Sequence, residues 1–545
     1  MRLGIDFGTT RIVVAAVDRG NYPVISFETS DGDVQDWFPP WVAVSGDQRL
    51  YGWDAWHRQD QFDWTVVRSL KRLLSDAGID TGIEIEGRAF PIQDLLRELA
   101  ENLKTSLLRH SNLPGASKAE PLQIVLGVPA NANTNQRFLT LDAFRQAGFE
   151  VLGLLNEPSA AGIEFSHLNR AGRPKGDSEL LAVYDLGGGT FDVSLVRLDG
   201  RTHAVVDTEG IPSLGGDDFD EIMAEMALTE AGLQADGRDA LTQSEWYRLL
   251  EECRRKKETL HANTRKITID LELVREGWNQ VSVSVPDFYE RCEPRIDQTT
   301  DVLNALLTRH LDVYSDFRAL YVAGGGSEMP LVPRALRRQF SRLVKRAAHA
   351  RSSTAIGLAI QADVTAGYSV EERLTRHFGV WREAEGGAEV RFDLIFPRGT
   401  PLQGDGDRPQ VVTRRYEPAH NIGHFRYLEC GGLGDDGRPS GDITLWDEIL
   451  FPFDPALQDG RTLTSTPVER SPAFAGRRIV ESYRCDAGGA FSVSIADETS
   501  GYSREYKLAK WAQAKRRVKP GQRKTAVKRA KTRKSPDSTT HGLDP

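Results

Sequence analysis

Residues 183–196 read Val-Tyr-Asp-Leu-Gly-Gly-Gly-Thr-Phe-Asp-Val-Ser-Leu-Val. An apolar run enters three glycines and a threonine and leaves as a second apolar run, with Asp185 and Asp192 on either side of the turn. Glycines let consecutive peptide units adopt positive φ and aim their N–H groups at one point. Such a concavity at Gly187, Gly188, Gly189 and Thr190 suits a phosphate, and the two carboxylates suit a divalent cation with its waters. An ordinary hairpin with a glycine-rich turn remains the alternative for this stretch taken alone.

The same order occurs at the start of the chain. Residues 3–10 read Leu-Gly-Ile-Asp-Phe-Gly-Thr-Thr, and residues 12–17 form a second apolar run. Two hairpins with an Asp-x-Gly-x-Thr order predict two related lobes, each offering a phosphate loop (Gly8, Thr9 and Thr10 in the first) from opposite sides. A third strand, 320–323, runs into Gly324-Gly325-Gly326, whose backbone suits close approach to a nucleoside.

The 545 residues predict roughly three to four domain-sized units. With 39% hydrophobic and 27% charged residues the composition is that of a soluble globular protein, and no run approaches the ~20 apolar residues of a membrane span. The N-terminus enters a strand without a signal-peptide layout. Cys253, Cys292, Cys430 and Cys485 lie far apart, with no metal-ligand or redox spacing. A reducing cytoplasm is the expected location.

Several other stretches carry two readings. The aromatic-rich residues 37–56 are expected to be packing rather than a cofactor box. Lys71, in the helical pattern Ser69-Leu70-Lys71-Arg72-Leu73, reads as a solvated face. Residues 91–111 are a strongly amphipathic helix with Ile92, Leu95, Leu96, Leu99, Leu103 and Leu107 on one stripe. At Asn156-Glu157-Pro158 a strand passes into a helix whose first turn holds the proline. Glu157 is then either a favourable helix-start charge or a carboxylate at the C-terminal end of a strand, where ligands gather in α/β folds. Leu214-Gly215-Gly216-Asp217 is a loop opening another helix, and residues 243–260 and 297–311 are helical.

Composition changes after about residue 370. Short alternating segments between Gly, Pro and Asp turns predict an all-β unit, most simply a sandwich, in which Phe392, Leu394 and Phe396 share a face as core or peptide groove. Residues 510–534 hold 12 lysines and arginines and no acid, against a net charge of -9 for the whole chain. This tail is expected to be disordered; it is either a contact for nucleic acid or another anionic surface, or a solvated extension.

Taken together, Gly4-Ile5-Asp6-Phe7-Gly8-Thr9-Thr10, Asn156-Glu157-Pro158-Ser159-Ala160-Ala161, Tyr184-Asp185-Leu186-Gly187-Gly188-Gly189-Thr190-Phe191-Asp192 and Leu214-Gly215-Gly216-Asp217-Asp218-Phe219-Asp220 resemble DnaK-type chaperones, the 70-kDa heat-shock protein family. The resemblance covers residues 1–365 in the family's order and extends more loosely into the β-rich part. It implies an α/β actin-like ATPase (two lobes of ribonuclease-H-like repeats) over 1–367, a linker at 368–379, an all-β sandwich at 380–508 and the basic tail at 509–545. It further implies ATP/ADP and Mg²⁺, with K⁺ as a monovalent companion, held by Asp6, Asp185 and Asp192. Gly8, Thr9 and Thr10 face Gly187–Thr190 across the phosphates. Lys257, Gly215, Gly216 and Gly324–Gly326 hold the rest of the nucleotide. By the same resemblance Lys71 would approach the γ-phosphate, and Glu157, Asp185 and Thr190 would complete the catalytic set. Pro129 and Arg137 match the family's coupling elements. The implied partners are unfolded or extended polypeptides, a J-domain co-chaperone and a nucleotide-exchange factor.

Departures from the family pattern are equally specific. Where the family grips adenosine with Glu, Lys and often Arg on one helix and Arg after the third glycine loop, this chain has Arg254, Lys257, Glu258 and Glu328. A glutamate cannot replace a planar cation stacked on a base, so weaker binding or faster exchange is expected. The linker lacks the acidic-leucine run, Gly153 replaces an arginine used with J-domains, and the basic tail stands where the family carries a helical lid. Three functions fit: an ATP-hydrolysing chaperone, an actin-like nucleotide switch with a dedicated partner-binding β-domain, and a sugar kinase of the same superfamily. Asn156-Glu157-Pro158 argues against the last.

Overall fold

Each of the two hairpins seeds its own sheet. In the computed structural model the described residues are 1–508 apart from 30, 60, 76, 79–80, 114–119, 170–177, 234–236, 311–316, 386–388, 403–408, 459–462, 475 and 487. They fall in one unit, Met1–Ala512. The tail at 509–545, with every expectation placed on it, lies outside them, as do Leu311 and Ala487.

Strands β1 (Arg2–Phe7) and β2 (Ile12–Ala16) pair antiparallel with Asp6 opposite Val13. β3 (Gln123–Val128) adds parallel to β1, and β4 (Glu150–Asn156) parallel to β3, giving the order β4-β3-β1-β2. Helix α1 (Ile92–Arg109) buries the stripe that its periodicity predicts, and its leucines share one apolar cluster with Leu3, Ile5 and Val14 of the sheet. Helix α2 (Thr134–Gln146) is capped by Asn133, whose side chain accepts from the Gln136 N–H. Helix α3 (Glu157–Leu168) leaves β4 directly, with Pro158 in its first turn as expected.

The second lobe repeats this plan. β5 (Glu179–Leu186) and β6 (Phe191–Asp199) pair antiparallel with Asp185 opposite Asp192. β7 (Thr202–Ile211), β8 (Phe317–Ala323) and β9 (Val344–Arg346) extend the sheet. Helices α4 (Gly216–Glu230), α5 (Gln243–Glu258) and α6 (Val285–His310) supply its core. The lobes join where α3 crosses α7 (Ser353–Ala362), through Ala160, Ile163, Leu358 and Ile360. A Cβ on Gly357 would sit 1.8 Å from the Ala160 carbonyl oxygen, so only glycine permits the crossing.

The stretch 368–379, read as a linker, carries regular structure at both ends. β10 (Ser369–Glu371) pairs parallel with β7 and completes the order β9-β8-β5-β6-β7-β10. An open sheet edge accepts an extended segment whatever its side chains, which is why no local pattern announces this strand. β11 (His377–Ala384) already belongs to the next sheet.

That part holds two antiparallel sheets. One has the order β12-β11-β14-β15, with β12 (Glu389–Phe396), β14 (Ile422–Leu433) and β15 (Pro439–Pro452). The other has β13-β16-β17-β18, with β13 (Gln410–Tyr416), β16 (Ile479–Cys485), β17 (Phe491–Asp497) and β18 (Tyr502–Leu508). Phe378 and Trp446 of the first share a core with Tyr483, Phe491 and Val493 of the second, and Phe378 stacks on Phe491 at 4.2 Å. The expected common face of Phe392, Leu394 and Phe396 is split. A bulge opposite Phe378 and Gly379 puts one extra residue in β12. Phe396 therefore joins the core, while Phe392 and Leu394 are half-buried, Phe392 against Trp381.

Candidate nucleotide site

Both hairpin turns meet in the cleft between the lobes. A Cβ on Gly188 would lie 2.7 Å from Thr10 Cγ2, and one on Gly189 2.8 Å from Thr9 Oγ1, so the two turns face each other with no room for a side chain. The start of α4 docks on the same turn: the Gly216 N–H donates to Gly187 O at 2.9 Å and the Asp217 N–H to Gly188 O at 2.7 Å. The Gly324 loop passes over Asp185, whose Oδ1 would stand 2.4 Å from a Cβ there. Gly8, Thr9, Thr10, Gly187, Gly188, Thr190, Gly216 and Gly324–Gly326 thus line one cleft, with Gly189 and Gly215 packed behind them. Lys257 from α5 donates to the Gly216 carbonyl and pairs with Asp220 at 2.7 Å.

The floor of the cleft is charged, and Lys71, Glu157, Asp185 and Asp192 on it are buried. Lys71 leaves a 3₁₀ turn, Leu70–Ser75, and is only 4% exposed, which overturns its reading as a solvated face. Its Nζ donates to Glu157 Oε1 at 2.5 Å. Asp6 is pushed up to about 7, first by burial and then by Glu157, with Lys71 opposing. Asp192 also rises to about 7, by burial and Glu157, although the Asn131 N–H stabilises its charge. Asp185 goes well above the usual carboxylate range through burial, Glu157 and Asp6. Buried carboxylates that repel one another fit a site completed by a cation. Among the described residues no group of three or more His, Cys, Asp or Glu side chains is arranged to hold a metal directly. The donors fit instead a cation such as Mg²⁺, which keeps waters and takes phosphate oxygens alongside one or two carboxylates.

Three sets of contacts in this region have partners that no local pattern announces, although Arg137 itself matches the family's coupling element. Arg68, nearly fully buried, reaches Asp217 at 3.1 Å, Asp220 at 2.8 Å and Glu251 at 3.3 Å. Arg137 donates to Asn156 Oδ1 at 2.6 Å, and Asn156 in turn donates from its backbone and side chain to Glu372, at 3.2 and 2.5 Å. The segment between β10 and β11 thereby rests one residue from Glu157. The sandwich touches both lobes: Glu429 accepts from the Thr134 N–H at 3.2 Å, and Arg398 donates to Asp207 at 2.9 Å and Glu209 at 2.8 Å.

Facing glycine turns over an acidic floor, between two α/β lobes that both touch a β-sandwich, define the class as an actin-like two-lobed fold joined to a β-sandwich. The family model for Hsp70 protein matches residues 115–375. The chaperone protein HscA of Serratia proteamaculans (strain 568) is 31% identical over 523 residues, covering 91% of this chain and 76% of that protein. The HscA homolog of Aeromonas salmonicida (strain A449) is 32% identical over 531 residues, covering 93% and 77%. The chain belongs to the Hsp70 family, and as a member it is an ATP-dependent chaperone and an ATPase. Among the described residues no helix is long and apolar enough to cross a membrane.

Proposed function

We propose that the cleft binds ATP between Gly8–Thr10 and Gly187–Thr190 and hydrolyses it to drive binding and release of extended polypeptide on the sandwich. Asp6, Asp185 and Asp192 would hold Mg²⁺, with K⁺ as a monovalent companion; the metal neutralises triphosphate charge that the three carboxylates alone would repel. Lys71 brings a positive charge to the γ-phosphate. Glu157, at the N-terminus of α3, accepts a hydrogen bond from the attacking water, and the Thr190 hydroxyl completes the phosphate cradle. Lys257, Gly215, Gly216 and Gly324–Gly326 hold the nucleoside side. Positioning and charge neutralisation are what phosphoryl transfer chiefly requires. The observation that carries this reading is the pair of abutting glycine turns over three carboxylates, Asp6, Asp185 and Asp192, each pushed up by desolvation and by the neighbouring Glu157.

Coupling to the β-domain runs through Arg137, Asn156 and Glu372, so that the segment leading into the sandwich bears on the residue preceding Glu157. A J-domain co-chaperone and a nucleotide-exchange factor would act on this cycle in the cytoplasm, the J-domain without the arginine that Gly153 replaces. The test is phosphate release from Mg-ATP by the full chain and by Asp185→Asn, with and without an unfolded peptide. The wild type is expected to turn over and to respond to peptide, and the variant to lose about 100-fold or more. Equal turnover by both would overturn the site assignment.

A further inference from the structure

Beyond the glycine loops the cleft ends among paired charges. Arg11 follows the Thr9–Thr10 turn of the first lobe. Glu258 closes α5, and Glu328 and Arg351 stand on the wall that carries the third glycine loop. The four are joined in one chain. Arg11 Nη2 donates to Glu258 Oε2 at 2.6 Å, Arg351 Nη1 to the same oxygen at 3.3 Å, and Arg351 Nε to Glu328 Oε2 at 2.5 Å. Arg254 completes the set, donating to Glu258 Oε1 at 2.9 Å while its other nitrogens turn to the buried Glu251.

The inner end of the cleft is closed by the buried Lys71–Glu157 pair. A nucleotide whose phosphates lie on the glycine turns can direct its nucleoside only toward the charged end. Discriminating one base from another takes a flat group free to stack and polar groups free to match the base edge. Here each guanidinium is already committed to a carboxylate, and the Arg351–Glu258 pair spans the gap between α5 and the third glycine loop. We infer that the Arg11–Glu258–Arg351–Glu328 chain gates the base end of this cleft, so that nucleotides are held by their polyphosphate with little selection among bases. Glu258 is the specificity-determining residue, because it is the one acceptor shared by Arg11, Arg254 and Arg351. With that carboxylate neutralised the tie across the cleft is broken, and Arg351, still paired with Glu328 through Nε, can turn its face to a purine.

The inference rests on the nucleotide reading above, and its test separates the two. The full chain, loaded with a fluorescent ATP analogue and Mg²⁺, is titrated with ATP, GTP, CTP and inorganic tripolyphosphate. In the wild type the four competitors should fall within about tenfold of one another, roughly 1.4 kcal/mol. In Glu258→Gln, ATP and GTP should gain about tenfold or more over tripolyphosphate, and Glu328→Gln, which loses one pair, should move the same way by less. The side chain of Glu258 is 28% exposed, and a melting curve checks that both variants fold. ATP bound about 100-fold more tightly than both GTP and tripolyphosphate by the wild type would overturn the inference and leave the nucleotide site standing. So would a folded Glu258→Gln with unchanged ratios. Binding of none of the four, tripolyphosphate included, would remove the nucleotide reading and this inference with it.

Discussion

Lys71 and Glu157 meet 2.5 Å apart, both shielded from water, and beside them stand Asp6 and Asp192, two of the charges that hold the lysine protonated. Removing the lysine leaves an acidic floor with no internal counter-charge. Lys71→Met should therefore cost about 3–5 kcal/mol of stability without Mg²⁺ and lower turnover by about 100-fold or more; melting with and without Mg-ATP, together with phosphate release, measures both. Full activity in that variant would refute the role given to Lys71. Glu164 offers a residue-scale test away from the cleft. It lies on α3, accepts from the Tyr321 hydroxyl, and is pushed up from 4.5 to about 7, mainly by burial, with the Tyr321 hydrogen bond opposing. Its folded-state proton is held more tightly than its unfolded-state proton. The stability this contributes is full below pH 4.5 and is lost as pH rises through about 7. Glu164→Gln removes the penalty, so the variant should gain on the wild type as pH rises across that window, by roughly 3 kcal/mol at the plateau. Unfolding curves at pH 5 and pH 8 that show no such divergence would contradict the assignment.

At the scale of elements, the two glycine turns act as one unit because each fills the space a side chain would need on the other. Gly188→Ala places a methyl group against Thr10 Cγ2 and should part the turns. We expect a loss of about tenfold or more in nucleotide affinity, and a coupling energy of about 1 kcal/mol or more with Thr10→Ala, which clears the clash. Strictly additive effects in that double-mutant cycle would show that the turns do not bear on each other. The turns themselves were legible because glycine, aspartate and threonine act through the local backbone. Strands β1, β2, β5 and β6, the stripe of α1 and the entry to α3 were legible for the same reason. The face of Phe392, Leu394 and Phe396 was not, since the bulge in β12 is set by its pairing with β11. Nor was β10, whose place depends on a free edge of β7 formed well over a hundred residues earlier.

At the scale of the whole molecule, polar contacts hold the sandwich to the lobes, buried at Glu429 and half-buried at Arg398. Glu429 meets Thr134 and, at 3.9 Å, Arg376; Arg398 reaches Asp207 and Glu209. The double variant Glu429→Ala, Arg398→Ala should uncouple the domains. The ratio of ATP turnover with and without unfolded peptide should fall by about fivefold or more, measured by phosphate release across a peptide titration. An unchanged ratio would mean that the signal does not pass through these contacts. A peptide response in the wild type also separates the chaperone from a nucleotide switch with one dedicated partner.

The sequence by itself determined the two glycine turns, their aspartates, the helix mouth at Glu157 and the succession from α/β lobes to β-sandwich. Those features are written in residue type and short spacing, where backbone freedom, capping and hydrophobic period act. Only the tertiary structure decided which charges meet. Lys71 and Glu157 are 86 positions apart, Arg68 and Asp220 152, and Arg11 and Glu258 247. Such pairs form because packing brings distant elements together and burial then makes each charge require a partner. The glycine turns proposed to hold phosphate were therefore legible in advance; Arg254, Glu258 and Glu328 stood out as residue types, but their pairing with Arg11 and Arg351, on separate elements, became visible only in the folded chain.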